Sequence, residues 1–497
     1  MHRLSCGLGS SGIGPGPKAQ QFPVWTLLQR TCLMLTLGGT LGGCLLTDNP
    51  EPGLDIPSRY TGSSANPTIA EAALPKLDWW RGFRSRELTG IVEQAREANL
   101  DIAAAIARIV QADAQSRVSG APLLPDIGLN ADGSRSRSSR SVSPNAKDTN
   151  SLTATLSASY ELDFWGKNRA SLRSAEQSAV AARYDREVVA LSTVASAANA
   201  YFQVLAAQDR LAAARDNLNS ANRVLDLIKQ RVNAGTASDL ELAQQESVVH
   251  TQRATIPPLM QTVVQNKNTL SVLMGRSPES VRIRGGSLRT ITTPRVTPGL
   301  PSELLAQRPD IRYAEANLAA ANANVEIARA NMLPSITLTG EGGLQSAVLK
   351  TLLKPESTLY SVGAGLVQPI FDGGTLQGNL DLKKGVQDEL LQSYRKAVIS
   401  AFSDVETALD SVRQTAQTER LQGDVVTSSR RAFEIAEQRL REGTVDLVTV
   451  LQTQQTLYSA IDGQVQARLA HLQAIVSLYQ ALGGGWLPKP VVAADAR

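Results

Sequence analysis

Reactive chemistry is what this chain of 497 residues lacks. Three cysteines and three histidines are too few and too scattered for a metal cluster, and there is no phosphate-cradling glycine loop, nucleophile elbow or paired-cysteine motif. His2 opens the chain, while His250 and His471 stand alone on helical stretches, where a surface or packing role is expected rather than a ligand role. No catalytic residue, no metal and no enzyme activity are therefore expected. Charge of one sign is also missing. The formal net charge is only +4, with basic residues interleaved among acidic ones, and nothing argues for nucleic acid. Aromatics make up only 4% of the chain, and Ala, Leu, Gln, Arg and Asp/Glu crowd the long segments. That is the composition of elongated helices packed through small side chains, not of a thick core.

Cysteine placement carries information that cysteine number does not. Cys6 and Cys32 lie in or before an apolar leader, leaving Cys44 as the only other one, so no disulfide is available to a mature chain that starts there. The apolar run Thr31 to Leu41 follows Arg30 and is too short to span a bilayer, but it suits a signal-peptide core. It ends in Leu41-Gly42-Gly43-Cys44, which resembles a bacterial lipobox, with an ordinary buried cysteine as the alternative. The expectation is a signal peptide over 1–43 and a Cys44 carrying an S-diacylglycerol and an N-acyl group. Leu45 in place of an acidic residue favours the outer membrane over retention at the inner one. Residues 44–76 are rich in Pro, Ser, Asp and Gly and read as an extended tether.

The rest of the chain says nearly the same thing twice. Asp101-Ile102 and Pro125 recur 209 residues later as Asp310-Ile311 and Pro334, Phe164 recurs 207 later as Phe371, and Gly235-Thr236 recurs 208 later as Gly443-Thr444. A tandem duplication built around a pseudo-symmetry axis follows, with repeats over 77–276 and 308–484, a linking segment over 277–307 and a tail over 485–497. Within the first repeat, Leu152, Ala154, Leu156, Ala158, Tyr160, Leu162 and Phe164 alternate with polar residues, a period of two. About 9–11 tilted residues cross a bilayer as a strand. A half-wet strand of an aqueous sandwich would alternate in the same way. Before it, a short run at Ile127–Leu129 leads into a polar loop over Asp132 to Asn150. The second repeat offers Ser335-Ile-Thr-Leu-Thr339, a Gly-rich polar loop, and a second alternation from Tyr360 to Leu366. Two strands per repeat, with Phe164-Trp165 and Phe371 at the exits, look like barrel staves ending in an interfacial aromatic girdle. Four strands cannot close a barrel, but three copies would give twelve.

Past each exit comes a helix of unusual length. Gly166 to Asn233 contains no proline and no internal glycine, and its later half carries the heptad Leu211, Ala214, Leu218, Ala221, Leu225, Ile228, Val232. In the second repeat Leu421, Val425, Ala432 and Ile435 are taken as its echo. The Gly-Thr pairs end these helices in hairpin tips, and return helices begin near Asp239 and Asp446. A lipid-anchored structural coiled coil without a pore would show similar hairpins, though it has no use for a bilayer-length alternating strand.

Arg308-Pro309-Asp310-Ile311-Arg312 with Ala314-Glu315, Asp78-Trp79-Trp80 and Phe83, Leu333-Pro334-Ser335-Ile336, Gln368 to Gly374, and Leu457-Tyr458-Ser459-Ala460 form an ordered set. It resembles the TolC-like outer-membrane factor family, in its NodT-type lipoprotein branch. The resemblance implies a mainly α fold with membrane β: duplicated long helical hairpins plus four strands per subunit. Three subunits would form a twelve-stranded barrel continuous with an α-helical periplasmic tunnel. It implies a passive efflux duct working with a periplasmic adaptor (membrane fusion protein) and an inner-membrane pump of the RND type, with the exit channel of a type I protein-secretion system as the other use. Gly235, Thr236, Gly443 and Thr444 would then lie at the adaptor-docking end. In that family a carboxylate ring nine residues past the second tip glycine often closes the gate. Here Gln452 holds that place and Val448 the position four earlier, so both are gate candidates lacking a titratable charge, or else ordinary packing residues.

Overall fold

Both copies adopt the same elements at nearly constant spacing. The computed structural model describes residues 53, 60, 77–139, 141–142, 145, 147–296, 301–484 and 486, with only the backbone described at 301–303. The leader, Cys44, nearly all of the tether and nearly all of the tail lie outside the described residues. The first repeat contains α1 (Arg86–Ala98), α2 (Leu100–Gly120), β1 (Asp126–Ser136), β2 (Thr149–Leu162), α3 (Lys167–Asn233) and α4 (Asp239–Leu273). The second contains α5 (Pro301–Gln307), α6 (Pro309–Ala330), β3 (Ser335–Ser346), β4 (Thr358–Val367), α7 (Thr375–Arg441) and α8 (Leu447–Ala481). Helices α3 and α7 are each 67 residues long, and the return helices α4 and α8 are each 35. At 1.5 Å per residue the long pair reach about 100 Å.

The four strands form one antiparallel sheet in the order β1-β2-β3-β4. Its register aligns Leu129, Leu156, Gly342 and Tyr360 in one row, and Ile127, Ala158, Gly340 and Val362 in the next, all on one face. The adjacent row, Gly128, Ser157, Glu341 and Ser361, falls on the opposite face. Alternation read strand by strand therefore becomes a mainly apolar face, ending in the polar Arg135–Asn150 row, and a mainly polar face.

Two segments expected to be loops are strand. Residues 132–136 continue β1, pairing with Thr149–Thr153, and Arg135 meets Asp148 at 2.7 Å. Gly340 to Gly343 continue β3. At Gly343 a Cβ would stand 2.2 Å from the Ala154 carbonyl oxygen, so close backbone approach, not looping, accounts for that glycine.

The main core sits halfway along the long helices. Trp79, Trp80, Phe83 and Leu88 pack on Ala197, Phe202 and Val204 of α3, Leu270 of α4, and Leu472, Ile475 and Tyr479 of α8. Trp79 stacks on Tyr479 with centroids 4.8 Å apart. The linking segment adds Ile283, Leu288 and Ile291, and Arg468 donates to the carbonyls of Leu288 and Ile291. A second core gathers Tyr60, Leu304, Ile311, Val398 and Leu478. Tyr60 thus packs against the body, although it belongs to the expected tether.

Capping follows the duplication even where residue identity does not. Asn99 donates to the Leu273 carbonyl at 3.0 Å, at the end of α4. Its counterpart Arg308 donates to the Ala481 carbonyl at 3.1 Å, at the end of α8, while pairing with Asp310 at 2.6 Å and Asp404 at 3.1 Å. The Arg308-Pro309-Asp310 motif is therefore a clasp that ties the second return helix to the start of α6, with Pro309 in its first turn.

The first-repeat heptad is found as expected: Ala214, Ala221, Leu225 and Ile228 are buried. Its echo needs correction. The residues 208 positions on from Leu218, Ala221, Leu225, Ile228 and Val232 are Val426, Ser429, Phe433, Ala436 and Leu440, and these are the buried ones. Leu421, Val425, Ala432 and Ile435 lie on the adjoining face, exposed in the single chain. Their apolar character marks a second contact surface, which the hairpin's own packing does not use.

Return helices end on glycines with positive φ, Gly275 at 62° and Gly483 at 70°. A Cβ at Gly275 would lie 2.1 Å from the Ala98 carbonyl oxygen, whereas one at Gly235 (φ 73°) would meet nothing within 4 Å. Gly235→Ala is expected to cost only the left-handed penalty, about 1–2 kcal/mol. Gly275→Ala must also displace backbone, and thermal unfolding is expected to show the larger loss there.

Candidate functional site

Two ends of the molecule carry the candidate residues: the hairpin tips and the sheet. Both tips are built alike. At the first, the N–H of Thr236 donates to Arg231 O at 2.8 Å and that of Gly235 to Val232 O at 2.9 Å. At the second, Thr444 donates to Arg439 O at 2.9 Å and Gly443 to Leu440 O at 3.1 Å. This 6→1 closure of a helix C-terminus needs the left-handed glycine that each tip supplies. Gly235, Thr236, Gly443 and Thr444 are all exposed.

The return helices are capped by the next polar residue. Ser238 accepts from the Glu241 N–H at 3.3 Å, and Glu241 reaches back to the Ser238 N–H at 2.7 Å. Asp446 accepts from the N–H of Thr449 at 2.9 Å and from its hydroxyl at 2.6 Å, as expected of a cap. Ser238 and Asp446, not Asp239 and Asp446, are thus the structural counterparts. It follows that Leu240 and Gln244 of the first repeat correspond to Val448 and Gln452 of the second, a pairing that the Asp-to-Asp alignment hid.

Val448 is 48% exposed, and Gln452 is exposed as well. Neither is buried among the described residues. The buried faces of α8 here are Leu447, Val450 and Gln454, joined by Leu457 and Tyr458. Tyr458 donates to the Asn217 carbonyl at 2.8 Å, and burial pushes its phenol up to about 12, so it stays a donor at any physiological pH. The two hairpins are held together by this bond, by the apolar cluster around Val224, Ile228, Phe433 and Leu440, and by Arg231, whose Nη1 donates to the Leu440 carbonyl at 3.0 Å.

At the sheet end, Phe164 is 66% and Phe371 91% exposed, just past the last residues of β2 and β4. Trp165 behaves differently. It is half-buried, its Nε1–H donates to the Pro334 carbonyl at 2.7 Å, and its ring meets Phe164 edge-on at 4.8 Å. The indole thereby ties the exit of β2 to the start of β3. Beside these aromatics sits a pair of caps that the sequence reading missed. Asp163 accepts from the N–H groups of Asn168 and Arg169 at 2.8 and 3.0 Å, and Asp372 from those of Gly374 and Leu376 at 2.9 and 2.7 Å. Each carboxylate satisfies first-turn donors of a 67-residue helix whose own cap position is a glycine. The shared signal was an Asp within three residues before a Gly at both sites.

Among the described residues no group of three or more His, Cys, Asp or Glu side chains has metal-site geometry. His471 bonds to Glu419 at 2.5 Å beside Arg468, while His250 is exposed.

The Thr449 hydroxyl and N–H hold the Asp446 carboxyl below its usual range. Its capping is therefore complete above about pH 3.9, the ordinary value, and is lost as pH falls through the lowered one. Protection of the second-tip amides from hydrogen exchange, taken relative to their intrinsic rate at each pH, is expected to fall on acidification in the native chain and to stay constant in Asp446→Asn. At neutral pH, Asp446→Ala is expected to loosen the first turn of α8, read as lower protection of its amides.

Comparison with known proteins agrees with this architecture. The outer membrane efflux protein family matches the chain twice, over residues 91–276 and 300–484. The pyoverdine export outer membrane protein OpmQ of Pseudomonas putida is 41% identical over 469 residues, spanning 93% of this chain and 98% of that protein. The toluene efflux pump outer membrane protein TtgF, also of Pseudomonas putida, is 31% identical over 91% of this chain and 96% of its own length. Among solved structures, the outer-membrane channel OprN superposes with a TM-score of 0.84 at 27% identity, covering 90% of this chain and all of that one. The Campylobacter jejuni CmeC outer membrane channel gives 0.83 at 25% identity, over 89% and 95%. With its helical hairpins reaching into the periplasm and its sheet in the outer membrane, the chain belongs to the outer membrane efflux protein family and is an efflux channel subunit.

Proposed function

We propose that three copies of this chain form one passive duct, a twelve-stranded barrel continuous with a helical tunnel. The observation that carries this reading is the four-stranded sheet with an apolar face, a polar face and two open edges at β1 and β4. In lipid each unpaired backbone group costs several kcal/mol, so the edges require partners, and three sheets of four close into an even-numbered barrel. The apolar rows face hydrocarbon, and the row containing Ser157, Glu341 and Ser361 lines water. Phe164 and Phe371 sit at the periplasmic membrane interface.

The tips at Gly235-Thr236 and Gly443-Thr444 dock a periplasmic adaptor, which joins the duct to an inner-membrane pump of the RND type. The pump supplies the energy. Cys44 carries the lipid that adds a second anchor. Val448 and Gln452 close the tip by apolar packing and amide hydrogen bonds, without a titratable charge. Small amphiphilic molecules are the cargo. Relatives named for pyoverdine export and toluene efflux support that class over protein secretion.

Planar-bilayer recording of the purified protein tests the duct. Gated ion conductance is expected, and Gln452→Asp, which places three carboxylates at the constriction, is expected to make the closed-state current sensitive to divalent cations. Protein that never conducts, tip variants included, contradicts the duct; an unchanged divalent response removes Gln452 from the gate. Cys44→Ser is expected to lose lipid labelling yet keep its conductance.

A further inference from the structure

The contact that joins the two tips within one chain has a vacant counterpart. Arg231 lies four residues before Gly235 and donates to the Leu440 carbonyl of the other repeat at 3.0 Å. That carbonyl belongs to the last turn of α7, where the helix leaves its acceptors without intrahelical donors and its dipole favours a cation. Moved on by the repeat spacing of 208, the donor position is Arg439, four residues before Gly443, and the acceptor position taken back by the same spacing is Val232. The residue type and the place in the turn are conserved between the repeats. Yet the guanidinium of Arg439 is exposed and has no hydrogen bond or ion pair among the described residues, while its backbone carbonyl accepts from Thr444. Val232 likewise stands in the last turn of α3, its carbonyl accepting from the tip glycine as that of Leu440 does.

The neighbouring apolar face points the same way independently. On α3, Val224 is buried and Leu227 packs against the second hairpin's cluster of Phe433, Leu440, Val450 and Leu457. Their counterparts on α7 are Ala432 and Ile435, which are exposed, Ile435 by 44%, alongside exposed Leu421 and Val425. One face of the first hairpin is covered by the second, and the matching face of the second stays exposed among the described residues.

We propose that Arg439 is the subunit-to-subunit latch of the tip. Its guanidinium donates to the carbonyl of Val232 of the partner subunit, and Leu421, Val425, Ala432 and Ile435 pack against that subunit's first hairpin. The inference rests on the trimeric duct. It names a second copy of this chain as the occupant, because the interface within the chain supplies the template, and the heterologous contact closes after three copies. Three Arg231 bonds within chains then alternate with three Arg439 bonds between them.

Paired-cysteine cross-linking of the full chain in membranes tests this. With Val232→Cys and Arg439→Cys together, a short bis-maleimide is expected to produce covalent dimers and trimers on denaturing gels. With Arg231→Cys and Leu440→Cys it is expected to link only within a chain, and single-cysteine variants serve as blanks. In parallel, Arg439→Gln is expected to lower the temperature at which the trimer dissociates on semi-native gels, Arg439→Lys to recover it in part, and Arg231→Gln to leave it nearly unchanged. A trimer that persists on native gels while the 232/439 pair fails to link between chains and the 231/440 pair reacts overturns the latch alone. Absence of any trimer overturns the duct, and the latch with it.

Discussion

A β-sheet in hydrocarbon must leave no backbone donor or acceptor unpaired, and this chain brings to the membrane a sheet that violates that rule by itself. Strands β1 and β4 are paired on one side only. Everything else in the molecule is consistent with meeting that constraint by assembly. Apart from the polar Arg135–Asn150 end, the sheet's two faces differ in polarity, which suits a wall between lipid and water. The long helices leave the sheet from carboxylate-capped turns, so the stave and the tunnel wall are one continuous piece. Trp165 locks the junction between the repeats at the same level.

Duplication reduces the assembly problem. Two repeats with the same 67- and 35-residue helices make each chain two nearly equivalent sectors, so three chains present six similar hairpins. The interface between repeats is then a working example of the interface between chains. Chemistry at equivalent points is free to differ provided the backbone acceptor is served: Asn99 and Arg308 do the same job at the two return-helix ends with different side chains. The tips keep closer identity, because the Gly-Thr closure depends on one left-handed residue and one hydroxyl in register. Where the tips differ, Leu240 against Val448 stands near the end where adaptor docking and gating would act.

Much of this was legible in the sequence because it depends on local rules. Period-two alternation marked β2, the absence of Pro and internal Gly marked α3, and Gly-Thr marked both tips. Features set by tertiary context were not legible. The glycines at 340, 342 and 343 read as a loop, yet the β2 backbone approaches so closely at Gly343 that a side chain is excluded, and the strand runs through. The polar end of β1 read as a loop because ladder hydrogen bonds and the Arg135–Asp148 pair, not apolar residues, extend it. The echo of the heptad was placed on the wrong face of α7, since that helix carries two apolar faces: Val426, Phe433 and Leu440 turn into its own hairpin with Ser429 and Ala436, while Leu421, Val425, Ala432 and Ile435 turn away from it. Periodicity shows that a helix has an apolar face but not which neighbour covers it. Counting from the tip puts Gln452 and Val448 on α8, but only the structure shows that both stay exposed while Gln454, two residues on, is 1% exposed.

The central claim is that one chain is an incomplete object whose sheet edges are satisfied by two more copies. Native mass spectrometry of the protein released from outer membranes into mild detergent tests it most directly. The account predicts a single species of three chains that persists on dilution, with no stable monomer or dimer. A stable, fully folded monomer, or any assembly whose chain count does not close the barrel with three sheets of four strands, would contradict it.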